Sequence, residues 1–190
     1  FIIYGTQIEL HQDELDQLNT FTDDLTKHKM KQERFKNQNP VTVKKSFYNG
    51  YIGEVGVEHF LKTKFIQWKL RDEFEKDICD LKYLGIDVGI KASLEENLPL
   101  IYYRPPVPEI ITIIRPPKTV FICGYATVPM LSHYQNPTFA FGTADGKKGG
   151  FWGFHKLHKF KTIDELRMLF ENKLLDTDVN YTETISSYKP

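Results

Sequence analysis

The 190-residue chain is 41% hydrophobic and 14% aromatic, which suits one domain with a sizeable core. Its 25 basic and 25 acidic side chains cancel, so composition alone gives no support to nucleic-acid binding. No apolar run is long enough to span a bilayer and no charged-then-apolar leader precedes the fold, so neither a membrane span nor a secretory signal is expected.

The chain opens on Phe1-Ile2-Ile3 rather than on methionine, and a processed or partial form of a longer product is the expectation. From about Gln12 to Lys36, Leu15, Leu18, Phe21, Leu25 and Met30 recur at helical spacing, which predicts one long helix ended by Asn37 to Pro40. A second helix is expected from about Ser46 to Lys62. Its Gly50, Gly53 and Gly56 weaken helix propensity but permit close approach to a sheet.

Strands are expected at Phe65–Leu70, Ile78–Leu84, Ile86–Ala92, Glu109–Ile114 and Val120–Tyr125, all short and rich in β-branched or aromatic residues. The prolines after Arg104 and Arg115 mark edges or crossings, because proline cannot donate to a central ladder. Asn136 to Gly150 reads as a glycine-bearing loop, followed by a short strand at Phe151-Trp-Gly-Phe. Thr162-Ile-Asp-Glu165 is a capping box opening a final helix that runs to about Leu175. Neither an internal repeat nor a domain boundary is visible.

Cys79 and Cys123 sit in apolar runs without close histidines, so buried free thiols and a reducing cytoplasm are expected rather than a disulfide or a zinc site. Charge is unevenly spread. Acids collect in Glu9–Asp24 and Asp72–Asp80, whereas Lys147, Lys148, His155, Lys156, His158, Lys159 and Lys161 form a segment without any acid. That segment is the expected nucleic-acid contact, with Phe151, Trp152 and Phe154 either stacking on bases or filling core. Arg104 and Arg115, held beside prolines, are candidates for reading guanine edges.

The chemistry concentrates between Asp80 and Lys91, in Asp-Leu-Lys-Tyr-Leu-Gly-Ile-Asp-Val-Gly-Ile-Lys. This reads as a hairpin turning at Gly85. Strand alternation then sets Asp87, Gly89 and Lys91 on one face and Ile86, Val88 and Ile90 on the other. A carboxylate and an ammonium projecting together suit a divalent metal and a water directed at phosphorus. The plain alternatives are a surface ion pair or a half-exposed strand.

The order of a helix bearing a glutamate, a strand, an aspartate hairpin ending in lysine, then further strand and helix resembles the restriction-endonuclease-like (PD-(D/E)XK) nuclease superfamily over about Ser46 to Tyr125. The resemblance implies an α/β fold with a central mixed β-sheet flanked by helices. Asp80 then matches the first metal-binding aspartate, Lys91 the lysine of acid-x-Lys, and Glu54 the helical glutamate, with Glu58 an equal candidate by type.

Gly89 departs from the pattern, standing where the family has its second acid. Either Asp87 supplies a displaced carboxylate, or Asp87 is the principal ligand and Asp80 flanks it. The implied activity is Mg2+-dependent hydrolysis of double-stranded DNA, with Mn2+ as a substitute metal and a homodimer as the working form. The rival readings are a binding module of the same fold that does not cut, and a protein-interaction domain.

Overall fold

The computed structural model describes residues 5–70, 79–143, 146–177 and 182. It is a mixed α/β protein built on a four-stranded sheet. In chain order the elements are β1 (Thr6–Glu9), α1 (Gln12–Lys29), α2 (Pro40–Leu61), β2 (Gly89–Leu94), β3 (Leu100–Tyr102), β4 (Glu109–Arg115), β5 (Thr119–Ala126), α3 (Val128–His133), β6 (Gln135–Thr143), β7 (Gly146–Phe151) and α4 (Ile163–Glu171).

The main sheet has the order β1-β5-β4-β2, with β2 parallel to β4 and the other pairs antiparallel. A second sheet, β3-β7-β6, is wholly antiparallel. On one face of the main sheet Ile110, Ile114, Val120 and Ile122 pack with Ile52 and Val55 of α2 and Leu15 and Leu18 of α1. On the other face Ile111, Ile113, Phe121 and Cys123 meet Ile101, Met130, Tyr134, Phe151 and Trp152, so the second sheet and α3 close that side.

The glycines of α2 explain how tightly the helix sits. A Cβ at Gly53 would lie 2.6 Å from the Ala92 Cβ, and one at Gly56 would lie 2.6 Å from a Val120 methyl. Only a side chain that stops at hydrogen lets the helix rest on β2 and β5. Gly50 meets nothing within 4 Å and opens instead on the groove described below.

Several expectations are corrected. The first helix stops at Lys29 and gives way to a 3-10 turn at Glu33–Phe35. Asn39-Pro40, expected to follow a helix end, instead starts α2. Asn39 accepts a hydrogen bond from Val41 N at 2.9 Å and Pro40 occupies the first turn, the favoured pairing for a helix start.

No strand forms at 65–70, and the described part of the expected strand at 78–84 is a 3-10 turn, Lys82–Leu84, closed by Gly85 at φ 78° (Ile78 lies outside the described residues). Asn136 to Gly150, read as a loop, forms most of the β6–β7 hairpin. Phe151 ends β7, and a 3-10 turn at Phe154–Lys156 follows in place of a strand. The last helix starts as expected, with Thr162 Oγ1 accepting from Glu165 N, and ends at Glu171.

Candidate active site at the edge of the main sheet

β2 is one of the two edge strands, and its parallel register with β4 places Gly89 opposite Glu109 and Lys91 opposite Ile111. Partners in a parallel pair project on the same face. Gly89 has no side chain, and the Glu109 side chain occupies the space beside it. A Cβ at Gly89 would lie 3.6 Å from Glu109 Cγ and 3.8 Å from Asp80 Oδ2, both ordinary contact distances. Asp80 is pinned there because its Oδ2 accepts the Ile90 N–H at 2.5 Å. Asp80 and Glu109 therefore flank one bare stretch of backbone.

Glu109 is 9% exposed, and its Oε2 is buried without a hydrogen-bond partner. Burial pushes its carboxyl above the ordinary range, the positive charge of Lys91 pulls it back, the negative charge of Asp80 pushes it further up, and Lys148 pulls it back slightly. Two carboxylates and two ammonium groups thus share one electrostatic neighbourhood. Buried polar atoms normally have partners, so the orphaned oxygen marks this place as one that folding alone does not explain.

The helical glutamate meets Asp80 in a separate small cavity that neither Glu109 nor Lys91 lines. Glu54, Asp80, Cys79 and Tyr83 border one cavity of about 50 Å3. Glu58, its rival by residue type, is a structural acid. Its Oε1 accepts from Phe65 N and Ile66 N, both at 2.6 Å, and its Oε2 from Lys64 Nζ at 3.0 Å. That holds the chain as it leaves α2 through Lys62, which sits in the left-handed region at φ 53°.

Asp87 lies at the half-exposed rim, where its Oδ1 accepts from Lys82 Nζ at 2.7 Å. Ile86, Val88 and Ile90 do pack into the α1–α2 core, but residues 86–88 precede β2, which starts at Gly89, so the expected hairpin with a strand from Ile86 does not form. Cys79 and Cys123 are free thiols, the first half-buried and the second buried. Burial pushes Cys123 up to about 12, and burial together with the charges of Asp87 and Asp80 raises Cys79.

The expected basic contacts disperse. Lys148 stays at the site, its Nζ 4.3 Å from the Tyr102 ring centroid. Arg104 is exposed in the loop before β4. Arg115 pairs with Glu95 at 2.9 Å and lies over the Phe121 ring. His155 stacks on Trp152, and the His158 backbone bridges Tyr125 of β5. Lys156 is half-buried in the 3-10 turn after β7. The Lys159 ammonium donates to the Cys123 carbonyl, where desolvation lowers its pKa. The Lys147 side chain lies outside the described part. Phe151, Trp152 and Phe154 are all buried, so they fill core and offer no stacking platform.

Lys91 and Lys148 also line a groove of about 690 Å3 that runs between β2, α2 and β7, past Ser46, Asn49, Asn97 and Gly150. Comparison with protein-family models, curated proteins and solved structures finds no match to this chain. Its reading therefore rests on the site itself. Among the described residues no helix is long and apolar enough to cross a membrane.

Sequence reasoning missed Glu109. It sits 20 residues beyond Gly89, and only the parallel pairing of β2 with β4 unites them. The one available signal was an acid at the head of an otherwise apolar strand, Glu109-Ile-Ile-Thr-Ile-Ile.

Proposed function

We propose that the protein is a metal-dependent nuclease of restriction-endonuclease-like type, in which Glu109 takes the part of the acid missing at Gly89. The observation that carries this reading is the buried, partnerless Glu109 oxygen beside Asp80 and Lys91. The donor set fits the metal the reading calls for. Carboxylate oxygens with no imidazole or unshifted thiol among them suit Mg2+ or Mn2+ rather than a softer ion. Asp80 and Glu109 would hold it, with Glu54 across the small cavity as a further acid. Such an ion supplies charge neutralisation at the phosphate and a more acidic water.

The remaining work belongs to the chain. Lys91, on a rigid strand beside Glu109, orients the attacking water or steadies the charge that builds on phosphorus. Lys148, at the groove wall, meets a neighbouring phosphate as a point charge. The Ile90 N–H fixes the Asp80 carboxylate, so the acid is held in place before substrate arrives. Asp87 with Lys82 forms the rim, and a pair of subunits would serve both strands of duplex DNA.

The test is incubation with plasmid, linear duplex and single-stranded DNA in the presence of Mg2+, Mn2+ or EDTA. Cleavage that EDTA abolishes supports the proposal. DNA binding that weakens with salt but never leads to cleavage under either metal replaces it with a module that binds without cutting. Neither binding nor cleavage rejects both.

A further inference from the structure

A second cluster of metal-binding side chains lies where the two long helices meet, and the nuclease reading does not use it. His11 immediately precedes α1, Glu14 stands in its first turn, and His59 stands in the last turn of α2. Their ligand atoms all lie within 4.8 Å of one another. His59 Nδ1 is 3.4 Å from Glu14 Oε1 and 3.4 Å from Oε2. The His11 and His59 rings are 5.3 Å apart at their centroids and tilted by 41°. The carboxylate does not swing freely, because its Oε2 accepts the His11 backbone N–H at 2.8 Å.

Each part has an ordinary explanation taken singly. Glu14 caps the start of a helix, and a histidine near a helix C-terminus is favoured by the dipole. Those explanations leave the convergence unaccounted for. His59 Nδ1 makes a long, bifurcated contact with Glu14, 3.4 Å from each carboxylate oxygen, where a single hydrogen bond would be shorter, about 2.9 Å, and aimed at one of them. Ligand atoms bound tetrahedrally at zinc distances lie roughly 3.3 Å from each other; the His59–Glu14 pair stands at 3.4 Å and the His11 atom within 4.8 Å of both. The His11 side chain also takes part in the capping box of α1, yet a ring nitrogen still lies within 4.8 Å of the ligand atoms of Glu14 and His59.

We infer that His11, Glu14 and His59 form a binding site for a transition metal ion, Zn2+ by its donor set of two imidazoles and one carboxylate. Three protein ligands leave a fourth position for water. The ligands come from both helices, so an ion there ties the start of α1 to the end of α2. The site depends on no part of the nuclease reading and uses none of its residues.

The experiment is competition for Zn2+ between the intact protein and a chromogenic chelator, read beside the absorption spectrum of the Co2+-loaded protein. The expected result is one equivalent bound at pH 7.5, weakened at least 100-fold in His11→Ala and in His59→Ala and unchanged in Glu109→Gln. Co2+ should give a visible band without thiolate charge transfer, which separates this site from Cys79. His11 is exposed but caps α1, so His11→Asn, which keeps a capping side chain and removes the imidazole, serves as the control for the fold and should lose Zn2+ affinity as His11→Ala does. Zn2+ should raise the melting temperature of the parent and not of His11→Ala. Zn2+ affinity equal in parent and His11→Ala, no binding at all, or a thiolate band in the cobalt spectrum would each overturn the inference.

Discussion

Glu58 and Glu109 are the two buried acids among the described residues, and their surroundings differ in kind. Glu58 closes the end of α2, where two backbone N–H groups and a lysine satisfy it. Glu109 heads β4 with one oxygen unsatisfied and a second acid, Asp80, as neighbour. A satisfied buried acid is accounted for by the loop it holds. An unsatisfied one weakens the fold at neutral pH, and what it gains in return is sought in binding or catalysis. The same contrast separates two faces of one strand. Ile90 and Ala92 of β2 pack on the α1–α2 side, whereas Gly89 and Lys91 face the acids.

The contrast breaks most visibly through activity. Glu109→Gln should lower Mg2+-dependent DNA cleavage by about 100-fold or more, on the order of 3 kcal/mol of transition-state stabilisation, measured as initial rate on linear duplex. Glu58→Ala should do the opposite. It should cost about 2–4 kcal/mol of stability in urea unfolding by stranding the Phe65 and Ile66 N–H groups, and leave the folded fraction active.

Transplantation sharpens the comparison further. Gly89 is extended, and a Cβ there meets only ordinary contacts, so Gly89→Glu in the Glu109→Ala background should recover a measurable part of the lost cleavage. No recovery in a folded double variant would mean that the position of the acid, not its presence beside β2, is what matters.

Stability should respond in the reverse sense from activity. The folded pKa of Glu109 is raised above its ordinary 4.5, so the fold is favoured by the protonated form. That contribution is fully present below the unfolded value and is lost as pH rises through the folded value. Glu109→Gln should therefore raise the melting temperature at pH 7–8, by a few degrees for a gain of about 1 kcal/mol, and the difference should vanish near pH 4. The smallest effect concerns Cys79. The negative charge of Asp80 helps to raise its thiol, so Mg2+ held at Asp80 should speed its alkylation by iodoacetamide a few-fold, with Cys123 unreactive throughout.

Much of the architecture was legible because it is written in local pattern. The spacing of Leu15, Leu18 and Leu25 gave α1, the runs at 109–114 and 120–125 gave the two central strands, and the glycines of α2 pointed to close packing on a sheet. What was illegible depends on contacts distant in sequence. Asp80 and Lys91 were visible as a pair within one short stretch. Glu109 joins them only through register, and His59 meets Glu14 across 45 residues.

Local misreadings had local causes. Asn39-Pro40 serves helix starts as well as chain breaks. The 79–84 stretch carries β-type residues but is closed by Gly85 in a left-handed conformation, which favours a turn. The basic segment looked like a surface because charge says nothing of partners. Stacking and backbone contacts engage several of its side chains.

The most direct measurement is duplex DNA cleavage by the parent and by Glu109→Gln, side by side in Mg2+ at pH 7.5, with melting temperatures recorded on the same samples. The account predicts cleavage by the parent alone, from a variant that melts no lower. Equal cleavage by the two proteins would contradict the role given to Glu109.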